Sequence, residues 1–256
     1  PARDVVGRAR ALRRRLEPAA AEAVLGPAPA ALDATVHEVL LAALAVAVEE
    51  WCWRRGRDEG SVVVDVEGHG REAGPGRDLS RTVGWFTSVH PLRLDLGGLD
   101  AAEALAGGRA LGLAVRRVRD ELRGLPDRGT GYGVLRHLDP VAGPELARLA
   151  APELGFNYLG RFAGAAGEDD FEPAPEADAL AGGADPELPL AHALELNALA
   201  SDAGLTAIWS WSPGVLDAGE VGELADGWFQ ALRALARPAA APGDDDLEDL
   251  LRRWDA

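Results

Sequence analysis

From Asp65 to Glu72 the chain reads Asp-Val-Glu-Gly-His-Gly-Arg-Glu, which puts carboxylates, an imidazole and a guanidinium within eight residues, spaced by two glycines. Carboxylates and imidazoles are the side chains best suited to moving a proton near neutral pH. Glycine lets the backbone pass close to a ligand with no side chain in the way. The preceding run Ser61-Val-Val-Val-Asp-Val66 is β-branched and reads as a buried strand, so Glu67 would arrive at a strand end. On these residues alone, a polar hairpin with solvated charges, Glu67 paired with Arg71, is the plainer account.

Other chemistry finds less support. Gly129-Thr-Gly-Tyr-Gly133 has the look of a dinucleotide loop, but it follows a helical pattern rather than a strand and lacks the spacing of the third glycine. The five histidines, His37, His69, His90, His137 and His192, show no metal-ligand spacing, so no metal is expected. None of the serines sits in the strand-to-helix turn a nucleophilic hydrolase needs. The acidic runs Glu168–Asp170 and Asp244–Asp246 read as solvated. The seven tryptophans, among them Trp209, Trp211 and Trp228, fall on alternating or helical apolar positions and are expected in the core.

Composition narrows the class. With 256 residues and 47% hydrophobic content the chain can bury a sizeable core. A formal charge of −16, with no lysine present, argues against nucleic acid or an anionic membrane as partner. The single cysteine, Cys52 between Trp51 and Trp53, excludes an internal disulfide framework and suits a packed thiol in a reducing cytosol. No run of about 18 apolar residues and no signal-peptide pattern appear, so the chain reads as cytoplasmic. It contains no methionine and begins Pro-Ala-Arg, which fits a processed start or, better, a segment of a longer polypeptide.

The elements that must position these residues follow from periodicity. Residues 1–30 read as an approach segment, with a helix from Val5 to Leu16 and a shorter one near Ala20. A buried helix is expected from Ala34 to Trp53 after a cap at Asp33 or Thr35. A strand is expected from Val83 to Leu94, one amphipathic helix from Ala101 to Leu122, and a glycine-rich turn from Gly129 to Gly133 followed by a short helix or strand. A helix near Pro144 to Leu149 and a strand from Leu154 to Phe162 come next. The stretch from Ala163 to Pro189 reads as a mobile surface loop. Ala191 to Ala200 and Leu205 to Trp211 pair through Ser201–Gly204, and a helix from Val215 to Ala236 closes the domain. Residues 239–256 read as an acidic linker with a short helix. The class is α/β with a mixed sheet flanked by helices.

Several of these stretches, taken in order, resemble a known family. Glu67-Gly-His-Gly-Arg-Glu72, Arg81-Thr-Val-Gly-Trp-Phe-Thr87, Gly129-Thr-Gly-Tyr-Gly133 and Phe156-Asn-Tyr-Leu-Gly-Arg161 are similar to successive blocks of the epimerization domains of nonribosomal peptide synthetases, within the condensation-domain superfamily. Val36 to Leu44 resembles a fifth block, with His37 and Glu38 in place of its usual polar pair. His90 stands where the family usually has tyrosine. The resemblance implies a chloramphenicol-acetyltransferase-like lobe, here residues 31–238, facing a separate N-terminal lobe that bears a His-His-x-x-x-Asp-Gly motif absent from this sequence. It implies L-to-D inversion of an aminoacyl or peptidyl thioester carried on the phosphopantetheine arm of a peptidyl carrier domain, with no cofactor bound by this chain. Glu67, Asn157 and Tyr158 take catalytic positions by this resemblance, and His69, Arg71, Trp85, Thr87 and Tyr132 substrate-binding ones. Glu67 is expected to face the other lobe across a cleft. A condensation-type lobe forming peptide bonds, or a docking lobe recruiting a carrier domain or partner protein, are the other readings.

Overall fold

The computed structural model describes residues 4–57, 60–71, 78–79, 81–162 and 185–237. Their centre is a six-stranded mixed sheet in the order β1-β6-β5-β4-β2-β3. The strands are β1 (Arg10–Leu16), β2 (Ser61–Gly68), β3 (Ser88–Asp95), β4 (Leu154–Arg161), β5 (Leu194–Ser201) and β6 (Gly204–Trp211). β4 runs parallel to both β2 and β5, and the remaining pairings are antiparallel. The α/β class expected from periodicity is the one found.

Helix α3 (Val36–Arg54) is apolar on every side between Val39 and Val48 because that stretch is covered all round, and every residue in it is buried. Thr35 caps it in a reciprocal arrangement with Glu38, its hydroxyl accepting from the Glu38 N–H and the Glu38 carboxylate accepting from the Thr35 N–H. The short helices α1 (Pro18–Leu25) and α2 (Pro27–Ala31) lead into it. Helices α4 (Ala101–Leu105) and α5 (Arg109–Gly124) pack against α3, as does the last helix, α8 (Ala218–Leu235), which Asp217 caps. Between them come α6 (Thr130–His137), lying against β3, and α7 (Ala142–Leu146).

Strand alternation sorts the sheet into two faces. Leu16, Val64, Val66, Leu92, Phe156, Leu196, Ala198, Leu205 and Trp209 enter the apolar core beneath the helices. Trp228 of α8 meets Trp209 edge to face at 6.0 Å, and its ring N–H donates to the Leu40 carbonyl at 3.1 Å. The other face carries Asp65, Glu67, Asn157, Glu195 and Asn197.

Five expectations need correction. Residues 10–16 form a strand, not a helix: Leu12 and Leu16 pair with Trp209 and Leu205 of β6, and this edge pairing outweighs the helix propensity of the arginine run. β3 starts at Ser88, since 81–87 is an irregular loop. The helix from 101 to 122 is two helices, broken at Gly107 and Gly108 and restarted when the Glu103 carboxylate accepts the Ala110 N–H at 2.8 Å. Gly131 and Gly133 are helical residues of α6, not a turn. Trp53 and Trp85 are exposed, whereas Trp209, Trp211 and Trp228 are core. Of the expected loop 163–189, residues 163–184 lie outside the described residues, as do 239–256; residues 185–189 are exposed.

Among the described residues no single helix is long and apolar enough to cross a membrane. The stretches 18–31 and 36–54 reach that composition only together, across a 102° bend, and α3 is the buried centre of the molecule.

Candidate active site

β2 sends Val64 and Val66 into the core and Asp65 and Glu67 to the helix-free face. β4 runs alongside in register, with Asp65 opposite Gly155 and Val66 opposite Phe156, so Asn157 arrives beside Glu67. The Asn157 amide donates to Glu67 Oε2 at 2.7 Å. The Glu67 carboxyl is half-buried, and its pKa is pushed up first by burial and then by the negative charge of Glu195, with His192 pulling it back. A carboxyl raised in this way sits closer to the pH at which it can both take and return a proton.

The remaining motif residues build the loop beside Glu67. The Arg71 guanidinium donates to the carbonyls of Leu79 (2.9 Å), Thr82 (2.8 Å) and Gly84 (3.2 Å), and lies 4.6 Å over the Phe86 ring. Among the described contacts, then, Glu67 is held by Asn157 while Arg71 ties together Leu79, Thr82, Gly84 and Phe86. The Arg71 N–H donates to His69 Nδ1 at 3.1 Å and closes the turn. Gly70 has φ +63°, and a Cβ there would run into the Phe86 carbonyl, which accounts for the glycine after His69. The loop leaves Val83 and Trp85 almost wholly exposed, at 99% and 92%, and Thr87 exposed as well.

Tyr158 follows Asn157 directly, so alternation turns it to the helix side, opposite Ala198 and against the core. Burial raises its pKa, and Arg161 partly offsets this. The structure therefore brings Glu67 and Asn157 together but does not bring Tyr158 to the same face. Tyr132 lies half-buried on α6.

One group of residues here was not singled out by sequence reasoning, and a second was noted only as a pair of departures from the family. On the open face, His192 Nε2 meets Asp65 Oδ2 at 3.1 Å, and Glu195 stands opposite Gly155. The polar alternation of Leu194-Glu-Leu-Asn197 was the available signal for Glu195 and Asn197; none marked His192. On the helix side, His90 is buried opposite Val66, with Gly129 against its ring. His37 lies edge-on to Phe156 at 5.4 Å, and burial, followed by the charges of His90 and His69, holds its pKa down to about 4. The two positions noted as departures from the family, 37 and 90, are thus electrostatic neighbours. Among the described residues no group of His, Cys, Asp and Glu is arranged to hold a metal ion. A cleft of about 380 Å³ lies at the other end of β2, lined by Cys52, Trp53, Ser61, Val62, Leu94 and Ala101, and includes neither Glu67 nor Asn157.

Residues 8–235 match the family model of the condensation domain. The chain is a condensation-family domain. Chondramide synthase cmdD of Chondromyces crocatus is 35% identical over 233 residues, covering 87% of this chain and 5% of the synthase. A linear gramicidin synthase protein from Brevibacillus parabrevis is 35% identical over 204 residues, 78% of this chain and 2% of that protein. Among solved structures, the epimerization domain from the third module of tyrocidine synthetase B superposes with a TM-score of 0.73 at 28% identity, covering 92% of this chain and 49% of that one. The condensation-family domain thus spans a few per cent of its curated relatives and about half of the solved domain. Its sheet and flanking helices have the chloramphenicol-acetyltransferase-like form expected from the resemblance.

Proposed function

We propose that this condensation-family domain is the C-terminal part of an epimerization domain, inverting the α-carbon of an aminoacyl or peptidyl thioester on the phosphopantetheine arm of a carrier domain. The observation that carries this reading is Glu67: a half-buried carboxyl at a strand end, fixed by Asn157 and shifted upward in pKa, on a sheet face that none of the described helices covers. The likeness to a solved epimerization domain supports it.

In this reading the Glu67 carboxylate takes the α-proton. The C–H electrons pass into the thioester carbonyl, giving an enolate, and a second acid returns a proton to the opposite face of the carbon. That second group belongs to the N-terminal lobe with the His-His-x-x-x-Asp-Gly motif. Asn157 keeps Glu67 in one orientation for the transfer.

The test presents a carrier-bound L-aminoacyl thioester to the chain alone, to the chain joined to such a lobe, and to the joined form carrying Glu67→Gln. Inversion is expected only in the joined form. Glutamine keeps the volume but cannot accept the proton, so its rate should fall by roughly a hundredfold or more. Full inversion by the chain alone, or an unaffected glutamine variant, would overturn the reading.

A further inference from the structure

We propose that His192, held by Asp65 on the bare backbone of Gly155, is a positioning residue that sets the charge state of Glu67. The inference rests on the reading of Glu67 as the proton-transfer group and adds to it the residues that tune that group.

The arrangement is built by three strands. Asp65 and Glu67 are two residues apart on β2 and so share a face. Gly155 of β4 lies opposite Asp65 on one side and Glu195 of β5 on the other. His192, two residues before β5, fills the space a side chain at 155 would occupy. A Cβ on Gly155 would come within 2.6 Å of His192 Nδ1 and 2.8 Å of Cε1, so only glycine admits the ring in this position. The imidazole is 11% exposed, with Nε2 turned to the Asp65 carboxylate.

Its other nitrogen, Nδ1, is buried and makes no hydrogen bond among the described residues. A polar ring atom buried without a partner costs free energy, and a ring serving only to pack would be better replaced by an apolar one. What the imidazole supplies here is a basic ring nitrogen held against Asp65, two residues along β2 from Glu67. Asp65, Glu67 and Glu195 form an acidic patch in which burial and Glu195 both favour a protonated Glu67, and His192 is the group that acts against them. The other neighbours of Glu67 cannot do this: Val89 and Pro91 face the patch from β3, Asn157 from β4 is neutral, and His69 is exposed at the end of β2.

The consequence is that His192 keeps more of Glu67 in the carboxylate form, the form able to take the α-proton. The test is to follow the Glu67 carboxyl by ¹³C NMR across pH in this chain, a readout that requires no turnover and that a merely packing residue would not move. In His192→Gln the Glu67 midpoint should move up, in His192→Asn it should move the same way, and in Glu195→Gln it should move down. In the domain joined to its second lobe, His192→Gln should shift the acid limb of the pH profile upward and lower the rate at neutral pH several-fold. An unmoved Glu67 midpoint in a folded His192→Gln protein overturns the proposal, and if that variant does not fold, an unmoved midpoint in His192→Asn does so. Because the titration is read without catalysis, midpoints that shift as expected beside an unaffected Glu67→Gln rate would sink the epimerase reading alone.

Discussion

The two faces of the sheet are made by the same strands, residue alternating with residue, yet they answer to different physics. Beneath the helices, β2, β4, β5 and β6 contribute Val64, Phe156, Leu196 and Trp209, side chains with little to offer but area and shape. On the other face β2, β4 and β5 contribute Asp65, Glu67, Asn157 and Glu195, polar side chains tied by the Asn157–Glu67 hydrogen bond and by the contact of Asp65 with His192. The helix-covered face should therefore govern whether the domain folds, and the open face what it does once folded.

The sharpest way to break that division is at Trp228. It is fully buried between Trp209 and Phe229, and its ring N–H satisfies the Leu40 carbonyl of α3. Truncation to alanine removes a large apolar body, leaves a cavity and orphans the carbonyl, so Trp228→Ala should cost about 3–5 kcal/mol by urea unfolding. A loss under about 1 kcal/mol would mean that α8 is not part of the structural core.

How far the two faces could be read in advance follows the same line. The apolar face was legible wherever local period and long-range packing agree, as in α3, α8, β5 and β6. It was not legible at β1, where Arg13-Arg-Arg15 favours a helix locally and the deciding contact is with β6, nearly two hundred residues away. On the open face Glu67 and Asn157 stood out because their motifs did. Their pairing with each other, rather than Glu67 with Arg71, required the parallel register of β2 and β4. His192 was invisible because its anchor Asp65 lies 127 residues earlier and no local pattern links them. Trp85 was misread as core because Arg71 spends its donors on loop carbonyls and holds the segment clear of the body.

A smaller effect sharpens the comparison at His37, a titratable side chain on the apolar side. Its pKa in the folded chain is about 4 against an ordinary 6.5, so the unfolded chain takes up the proton first. The contribution of this group to stability is complete above about pH 6.5 and is lost as pH falls toward 4, by at most about 3 kcal/mol. Urea unfolding at several pH values should show His37→Leu losing less stability over that interval than the parent chain. Equal losses would place His37 in contact with water.

The smallest expected change in stability is at Asn157, and there the comparison is most exposed to failure. The side chain is half-exposed and projects from a strand whose core contacts come from Leu154, Phe156 and Tyr158 on the other face. Removing its amide by Asn157→Ala leaves Glu67 able to bond to water, so unfolding free energy should change by less than about 1 kcal/mol. Turnover is a different matter. The 2.7 Å bond from Asn157 is what orients the Glu67 carboxylate, and a carboxylate free to rotate spends less time aligned with the α-proton. On the proposed epimerase reading, the domain joined to its second lobe should therefore lose about tenfold or more in its rate of inversion. Asn157→Asp separates geometry from charge, since it keeps the shape but sets two carboxylates side by side and should be worse than alanine at neutral pH. If instead Asn157→Ala costs several kcal/mol of unfolding free energy while the still-folded domain keeps its rate of inversion, the open face would be structural and the division between the two faces would not hold.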